Sequence, residues 1–213
     1  MTVTDFRIDD SLIAKVTDYV RDYMSHYDGS HDFQHIQRVV HLAHTIQASS
    51  PTATTSPQVV TLAALLHDVG DRKYLKPGED ASRLVATVLV SLGASQALAE
   101  KVQAICLGVS YSSEAKDPAR VLALIEEHPE LAVVQDADRL DAIGAVGIGR
   151  TFAFGGARGR SLEDTIEHFG DKLVKLEGMM KTEAGRRMAR ERTERLLQMQ
   201  EWWRLETEGV PTL

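Results

Sequence analysis

Apolar residues recur at every third or fourth position over most of the chain, and no stretch alternates strictly between apolar and polar residues. At 11–24, for example, the apolar side chains fall on one face of a helix. The same spacing predicts further helices near 31–48, 61–69, 79–92, 96–107, 119–127, 129–144, 161–180 and 182–206. We therefore predict an all-α fold of about eight helices.

The segments between these helices are short and polar. Residues 28–30, 70–78 and 108–113 are expected to form turns or loops, and 49–57 is a Ser/Thr/Pro-rich linker. That linker is too short to separate independent domains, so one domain spanning 1–213 is predicted.

A glycine-rich tract runs from 144 to 159. It does not follow a predicted strand, so the sequence context excludes a dinucleotide-binding or P-loop motif. Close packing between helices is expected there instead, with Phe152 and Phe154 as anchors.

Composition narrows the function classes. The chain has 213 residues, 43% of them hydrophobic and 26% charged, which is enough apolar material for a substantial core. A net charge of −7 argues against a nucleic-acid polymer or a membrane as partner. The one cysteine, Cys106, excludes a disulfide framework and fits the cytoplasm. The polar N-terminus does not resemble a secretory signal, and no apolar run approaches the length of a membrane span.

The first candidate site follows the apolar run at 61–66, where His67 and Asp68 stand side by side and Gly70 ends the helix. An imidazole and a carboxylate at the edge of a core suit Zn, Mn or Fe(II) better than Ca. The alternative is an ordinary helix C-terminus with a dipole-stabilised histidine and a solvated aspartate.

Two other helices carry groups that match this pair. His35 and Arg38 are one turn apart on the helix at 31–48. Asp136, Asp138 and Asp141 lie in an otherwise apolar helix, where carboxylates are costly unless they are paired or bind metal. A salt-bridge network is the alternative for the aspartates. Three more histidines, His26, His41 and His44, are expected to be exposed or hydrogen-bonded without a functional role.

The ordered set His35, His67-Asp68 and Asp138 resembles the H…HD…D pattern of the HD-domain metal-dependent phosphohydrolases. The resemblance extends to His-Asp-x-x-His-x-x-Arg-Val at 31–39, to the segments 67–73 and 135–145, and to 182–187. These segments are similar to one branch of bacterial and fungal HD hydrolases that includes nucleoside triphosphate pyrophosphohydrolases. The resemblance implies a helical HD domain with its motif core at about 26–150, on which helices at 161–207 pack.

The resemblance also arbitrates between two aspartates. Asp136 and Asp138 are two residues apart, so on a helix they point about 200° apart and cannot both face one metal. In the superfamily the ligand lies in an Ala-Asp-Arg/Lys-Leu context, which matches Asp138. The implied ligands of one divalent ion are therefore His35, His67, Asp68 and Asp138. Mn is expected, with Zn, Fe, Co or Mg as alternatives.

Charged residues around these ligands suggest roles in catalysis and substrate binding. Asp68 can orient a water, Asp71 can relay a proton, and Lys73 can hold phosphate charge. The residues expected to contact a small-molecule phosphate substrate are Arg72, Lys73, Arg139, Asp141 and His31, with Arg150 as a further candidate.

Three classes of function remain open at this point. The first is a phosphohydrolase that acts on a nucleotide phosphoanhydride or phosphoester, with nucleoside triphosphate to monophosphate plus pyrophosphate as its specific form. The second is a hydratase, lyase or oxygenase on the same scaffold. A di-iron oxygenase would need further ligands such as His31 or His128. The third is a non-catalytic metal-binding module. A homo-oligomer is compatible with all three.

Overall fold

The computed structural model describes residues 9–27, 29, 31–49, 55–71, 75 and 77–209. Within these ranges every regular element is helical and no strand occurs, which confirms the all-α prediction. The α-helices are α1 (Asp10–Met24), α2 (Phe33–Ala48), α3 (Pro57–Leu66), α4 (Leu84–Ser91), α5 (Gln96–Val109), α6 (Tyr111–Lys116), α7 (Pro118–Glu127), α8 (Glu130–Asp141), α9 (Gly144–Ala157), α10 (Leu162–His168) and α11 (Glu183–Thr207). A π-helical turn (Phe169–Leu173) and a 3-10 turn (Val174–Met179) follow α10.

Helix starts are set by side-chain caps. The carboxylates of Asp9 and Asp32 accept the backbone N–H three residues on, and Ser56, Ser95 and Thr182 do the same with their hydroxyls. Each cap satisfies one backbone donor that the first turn leaves without a partner. The polar residue just before an apolar-periodic run therefore locates each of these helix starts.

Among the described residues the α-helices exceed the predicted number because α6 and α9 fall on the expected loop and the glycine-rich tract, and two of the predicted helices differ in extent. The helix predicted at 79–92 begins only at Leu84, since the Asp80 carboxylate accepts from the N–H and Oγ of Ser82 and forms a local turn. The loop expected at 108–113 contains the cap Ser110 and the start of α6. The single helix expected at 161–180 is instead three short pieces, α10, the π-helical turn and the 3-10 turn.

Helices α2, α3 and α8 form the centre of the molecule, and each packs against the other two. Their fully buried residues include Ile36, Val39, Leu62, Leu66 and Leu140. Helix α3 buries seven of its ten residues and contacts α1 and α5 as well. Because all three central helices carry the candidate ligands, the packing of this core sets the geometry of the site.

The long helix α11 packs on α8 and α9. At its start, the buried Asp136 carboxylate accepts from the N–H of Lys181 and from the N–H and hydroxyl of Thr182. Gly185 lies directly over that carboxylate, and a Cβ added there would overlap Asp136 Oδ2. Asp136 thus fastens α11 to α8, and Gly185 makes the close approach feasible.

Close packing in the glycine tract is confirmed at Gly144 and Gly155. Gly144 has a φ of +73° and packs on the side chain of Arg192. A Cβ at Gly155 would lie 2.5 Å from Thr165 Oγ1. Phe152 anchors α9 as expected, with its ring 5.9 Å from Phe169 and 5.8 Å from Trp203. None of the helices in the described ranges combines the length and apolar character needed to cross a bilayer.

Candidate metal centre

Four side chains from the three central helices converge on one point. His35 lies in the first turn of α2, and Asp138 lies in the second half of α8. His67 is the C-cap of α3, and Asp68 follows it in a turn that Gly70 closes with a φ of +84°. Gly70 favours this left-handed conformation because it has no Cβ. The glycine predicted to end the helix therefore also points Asp68 back towards His67.

The distances between these groups are short. Nε2 of His35 lies 3.2 Å from Nε2 of His67. Asp68 places its two carboxylate oxygens 3.3 Å from Nε2 of His35 and 3.6 Å from Nε2 of His67. Oδ1 of Asp138 lies 3.6 Å from each of the same two nitrogens. Ligand atoms of His35, His67 and Asp138 therefore all lie within 4.8 Å of one another, and Asp68 lies beside the two imidazoles.

Hydrogen bonds on the far side of each ring decide which nitrogen carries the proton. Nδ1 of His67 lies 2.8 Å from the carbonyl oxygen of Ala64, which can only accept, so Nδ1 is the protonated nitrogen. Nδ1 of His35 likewise lies 2.8 Å from Asp141 Oδ2. In the neutral rings both Nε2 atoms then present lone pairs to each other, and this contact is unfavourable unless a positive charge lies between them.

The charge and burial of Asp68 and His67 also favour a positive charge at this centre. Among the described residues, none donates a hydrogen bond to the buried Oδ2 of Asp68. Burial by itself lowers the pKa of His67, but the negative charges of Asp68 and Asp138 outweigh it and raise the pKa to about 9. The centre therefore attracts a cation. Its donors, two imidazole nitrogens and carboxylate oxygens, fit a divalent transition metal.

Asp141 supports the centre from behind. It is buried, and besides His35 it accepts from Arg38 at 2.7 and 3.1 Å and from Arg150 at 3.0 Å. Burial raises the pKa of Asp141, but the hydrogen bonds from His35 and Arg38 outweigh it and hold the pKa well below its usual range. An ionised Asp141 fixes the orientation of His35, as such partners of metal-bound histidines do.

A cavity of about 530 Å³ opens onto these ligands. Its polar lining comprises His31, His67, Asp68, Asp71, Gln103, Ser110, Tyr111, Ser112, Ser113, Asp138, Arg150, Thr151, His168 and Lys172. Its apolar lining includes Leu107, Val109, Phe154 and Leu173. This size and the mixture of apolar walls with a few polar groups suit a small-molecule ligand.

Two residues predicted to contact substrate lie elsewhere, as does Asp136, the aspartate that the sequence disfavoured as a ligand. Asp136 accepts hydrogen bonds from Lys181 and Thr182 at the start of α11, so it does not face the centre. Arg139 is only 2% exposed, and its guanidinium donates to Glu114 and to the carbonyl oxygen of Met179. Asp141 is 1% exposed and accepts hydrogen bonds from His35, Arg38 and Arg150. Arg139 and Asp141 were expected to contact substrate, and neither is among the residues that line the cavity.

Other predicted residues are placed at the cavity or outside the described ranges. His31 and Asp71 line the cavity, and the His31 ring centroid lies 6.0 Å from that of His35. Arg72 and Lys73 lie outside the described residues. His128 pairs with Glu127 at the end of α7, away from the cavity lining. His26, His41 and His44 are exposed, and His44 Nε2 lies 2.8 Å from Thr61 Oγ1.

The sequence did not point to several of the cavity residues, among them Tyr111, His168 and Lys172. They come from the start of α6, the end of α10 and the π-helical turn. None belongs to a motif, and each is far along the chain from the ligands. The polar loop at 108–113 was the one sequence signal that pointed to this wall.

Comparisons with known proteins agree with this architecture. The HD domain family matches residues 32–143. The Bacillus subtilis protein YpgQ is 34% identical over 188 residues, which cover 86% of this chain and 88% of YpgQ. The crystal structure of YpgQ in complex with ADP has a TM-score of 0.73 and covers 93% of this chain and 100% of that one.

Two further solved structures are similar along nearly their whole length. A Lactobacillus plantarum protein has a TM-score of 0.79 at 26% identity, over 93% of this chain and 98% of its own. An HD-superfamily hydrolase from Bacillus thuringiensis has a TM-score of 0.69 at 29% identity, over 92% and 97%. The family match spans more than half of the chain and includes all four converging side chains, so this chain belongs to the HD domain family.

Proposed function

We propose that this protein is a metal-dependent phosphohydrolase that cleaves a phosphoanhydride or phosphoester bond in a nucleotide. The observation that carries the proposal is the pair of Nε2 atoms, 3.2 Å apart, whose lone pairs converge with two carboxylates at the end of a cavity. The specific reaction that we propose is hydrolysis of a nucleoside triphosphate to the monophosphate and pyrophosphate. The resemblance to the pyrophosphohydrolase branch supports this choice, as does the ADP bound by YpgQ.

The metal ligands in this proposal are His35, His67, Asp68 and Asp138. A divalent ion supplies two things when bound: it lowers the pKa of water from ~15.7 towards ~7, and it offsets charge on a phosphoryl oxygen. We propose Mn as the ion, with Zn, Fe, Co or Mg as alternatives. Asp141 and the carbonyl oxygen of Ala64 hold the two imidazoles in the tautomer that leaves Nε2 available.

Residues around the ligands act on the substrate. Asp71 lines the cavity three positions after Asp68 and is proposed to accept or relay a proton from the attacking water. Arg150 lines the cavity while its guanidinium donates to Asp141, so it can bind a phosphate oxygen beside the ligands. His31 is proposed to contact the same phosphate region. Roles for Arg72 and Lys73 in phosphate binding stay predictions from their position in the sequence, directly after Asp71.

The protein and the proposed polyphosphate substrate both carry negative charge. A protein with a net charge of −7 repels a polyphosphate unless cations gather at the site. Arg150 and Lys172 supply such cations in the cavity.

We place the enzyme in the cytoplasm, since its one cysteine is buried and unpaired. We further propose that 1–213 form one domain.

The test is a substrate panel. The Mn-loaded protein is incubated with nucleoside tri-, di- and monophosphates, and products are resolved by ion-exchange chromatography. We expect pyrophosphate and a monophosphate from a triphosphate, and the His67→Ala protein should retain less metal and lose this turnover. His44→Ala, an exposed histidine of α2, is the matched control and should behave as the parent does. Absence of turnover with Mn, Mg, Co and Zn would overturn the proposal and favour a hydratase, lyase or oxygenase.

A further inference from the structure

The part of the cavity wall formed by α6 and the π-helical turn carries a cation that no motif contains. Lys172 lies in the π-helical turn, and its Nζ is 4.9 Å from the centroid of the Tyr111 ring. Both residues line the cavity. A cation over an aromatic face is attracted by the ring and held in a restricted region, while its N–H groups can still donate to an anion.

The elements that carry Lys172 and Tyr111 are not those that carry the candidate ligands. The π-helical turn packs against α10, the 3-10 turn and α11, and α6 packs against α5 and α7. Phe169, fully buried, fastens the turn to α9 through its contact with Phe152. Lys172 therefore reaches the cavity from a different element than His67, Asp68 and Asp138, which line the same cavity. Turns of π-helix within helical segments often occur at functional sites.

Arg150 lines the cavity beside the candidate ligands. Its guanidinium donates to the Asp141 oxygen that also accepts from His35 Nδ1. Asp141 therefore links Arg150 to the candidate metal ligand His35. A phosphate group near the metal is thus within reach of Arg150. Lys172 lines the same cavity from a turn that carries none of the candidate ligands, and the volume of about 530 Å³ is large enough for a ligand with several phosphate groups.

We infer that Lys172, held on the ring of Tyr111, binds a phosphate group of the substrate away from the metal and so selects polyphosphates over monophosphates. This inference deepens the proposed function and rests on it. It assigns Lys172 and Tyr111 to substrate binding and specificity. Neither residue takes part in binding the metal or in activating water.

The test compares binding of ATP, ADP and AMP by isothermal titration calorimetry in EDTA, where metal-dependent turnover is stopped. Lys172→Ala should weaken ATP binding by about tenfold and leave AMP binding within about twofold, because one charge-assisted hydrogen bond is lost. Lys175→Ala, an exposed lysine three residues further on, is the matched control and should change neither affinity. With Mn, the Lys172→Ala protein should show a higher KM for ATP with little change in kcat.

Substitutions at Tyr111 test how the lysine is held. Tyr111→Phe keeps the ring and should keep ATP affinity, whereas Tyr111→Leu should lose part of it. A structural role for Tyr111 would instead weaken ATP and AMP equally, and circular dichroism reports whether each variant is folded.

The outcomes separate this inference from the proposed function. Equal losses for ATP and AMP in Lys172→Ala, or no loss at all, would overturn the assignment of Lys172 while nucleotide binding stands. A parent protein that binds none of the three nucleotides, in EDTA or with Mn, would overturn both the inference and the proposed substrate class.

Discussion

Asp141 and His35 are 106 positions apart in sequence, and a 2.8 Å hydrogen bond joins the carboxylate of one to Nδ1 of the other. This contact fixes the His35 tautomer, and Arg38 and Arg150 hold Asp141 in turn. The candidate metal centre therefore depends on a carboxylate that does not itself face the cavity. Substitutions at Asp141, and at the residues of three other contacts, have measurable consequences for metal binding or stability.

Asp141→Asn is expected to lower metal affinity by about 10- to 100-fold, because the neutral amide accepts fewer hydrogen bonds and no longer stabilises His35 as a ligand. Competition with a chelator followed by elemental analysis measures this change. Asp22→Asn, an exposed aspartate of α1, is the matched control and should retain metal as the parent does. Unchanged affinity in Asp141→Asn would show that His35 needs no such support.

Asp136→Asn and Asp138→Asn should affect different properties: the first should lower stability, and the second should lower metal binding. The Asp138 variant should lose metal, since Oδ1 of Asp138 lies 3.6 Å from both imidazole nitrogens. The Asp136 variant should keep metal but lose about 1–3 kcal/mol in free energy of unfolding, because its amide group would face the backbone N–H donors of Lys181 and Thr182. Elemental analysis and urea unfolding distinguish them. Greater metal loss in the Asp136 variant would reverse the ligand assignment.

Gly185→Ala should destabilise the fold by about 1–3 kcal/mol, because the new Cβ would overlap Asp136 Oδ2 and lie 2.8 Å from Thr182 Oγ1. Gly178→Ala is the matched comparison, since a Cβ at Gly178 meets nothing within 4 Å. Thermal and urea unfolding measure both. Similar stability of the two variants would mean that α11 and α8 can move apart at little cost.

Glu114 links Arg139 and Lys181, and its replacement should have a pH-dependent effect. Burial raises the pKa of Glu114, but hydrogen bonds from Lys181 and Arg139 outweigh it and lower the pKa below the usual 4.5. A lowered pKa in the folded state adds stability above the unfolded pKa and loses it as pH falls. Glu114→Gln should therefore cost about 2 kcal/mol near neutral pH and less under acidic conditions.

Urea unfolding across the acidic and neutral range measures this dependence. Glu126→Gln, on α7, is the control because Glu126 is exposed. A cost for Glu114→Gln that stays constant down to acidic pH would contradict an ionised Glu114 paired with Arg139. It would also reopen the possibility that Arg139 is available to a substrate.

The sequence by itself determined the helical class, most of the helix starts and the approach of the four candidate ligands. Helical periodicity and polar caps are local signals, so they can be read from neighbouring residues. The stop at Gly70 is equally local, because a residue with a φ of +84° is almost always glycine. The choice of Asp138 over Asp136 came from the helical angle between them together with the motif that surrounds Asp138.

Only the tertiary structure decided which charged residues face the cavity. Arg139 and Arg150 looked alike as phosphate-binding candidates, yet Arg139 is directed to Glu114 on α6, and Arg150 reaches both Asp141 and the cavity. Asp136 accepts hydrogen bonds from the residues just before α11, a helix that begins 47 positions later. Lys172 and Tyr111 meet across 61 positions. Such contacts depend on how distant helices pack, and the pattern of apolar positions records which face of a helix is buried but not the partner that covers it.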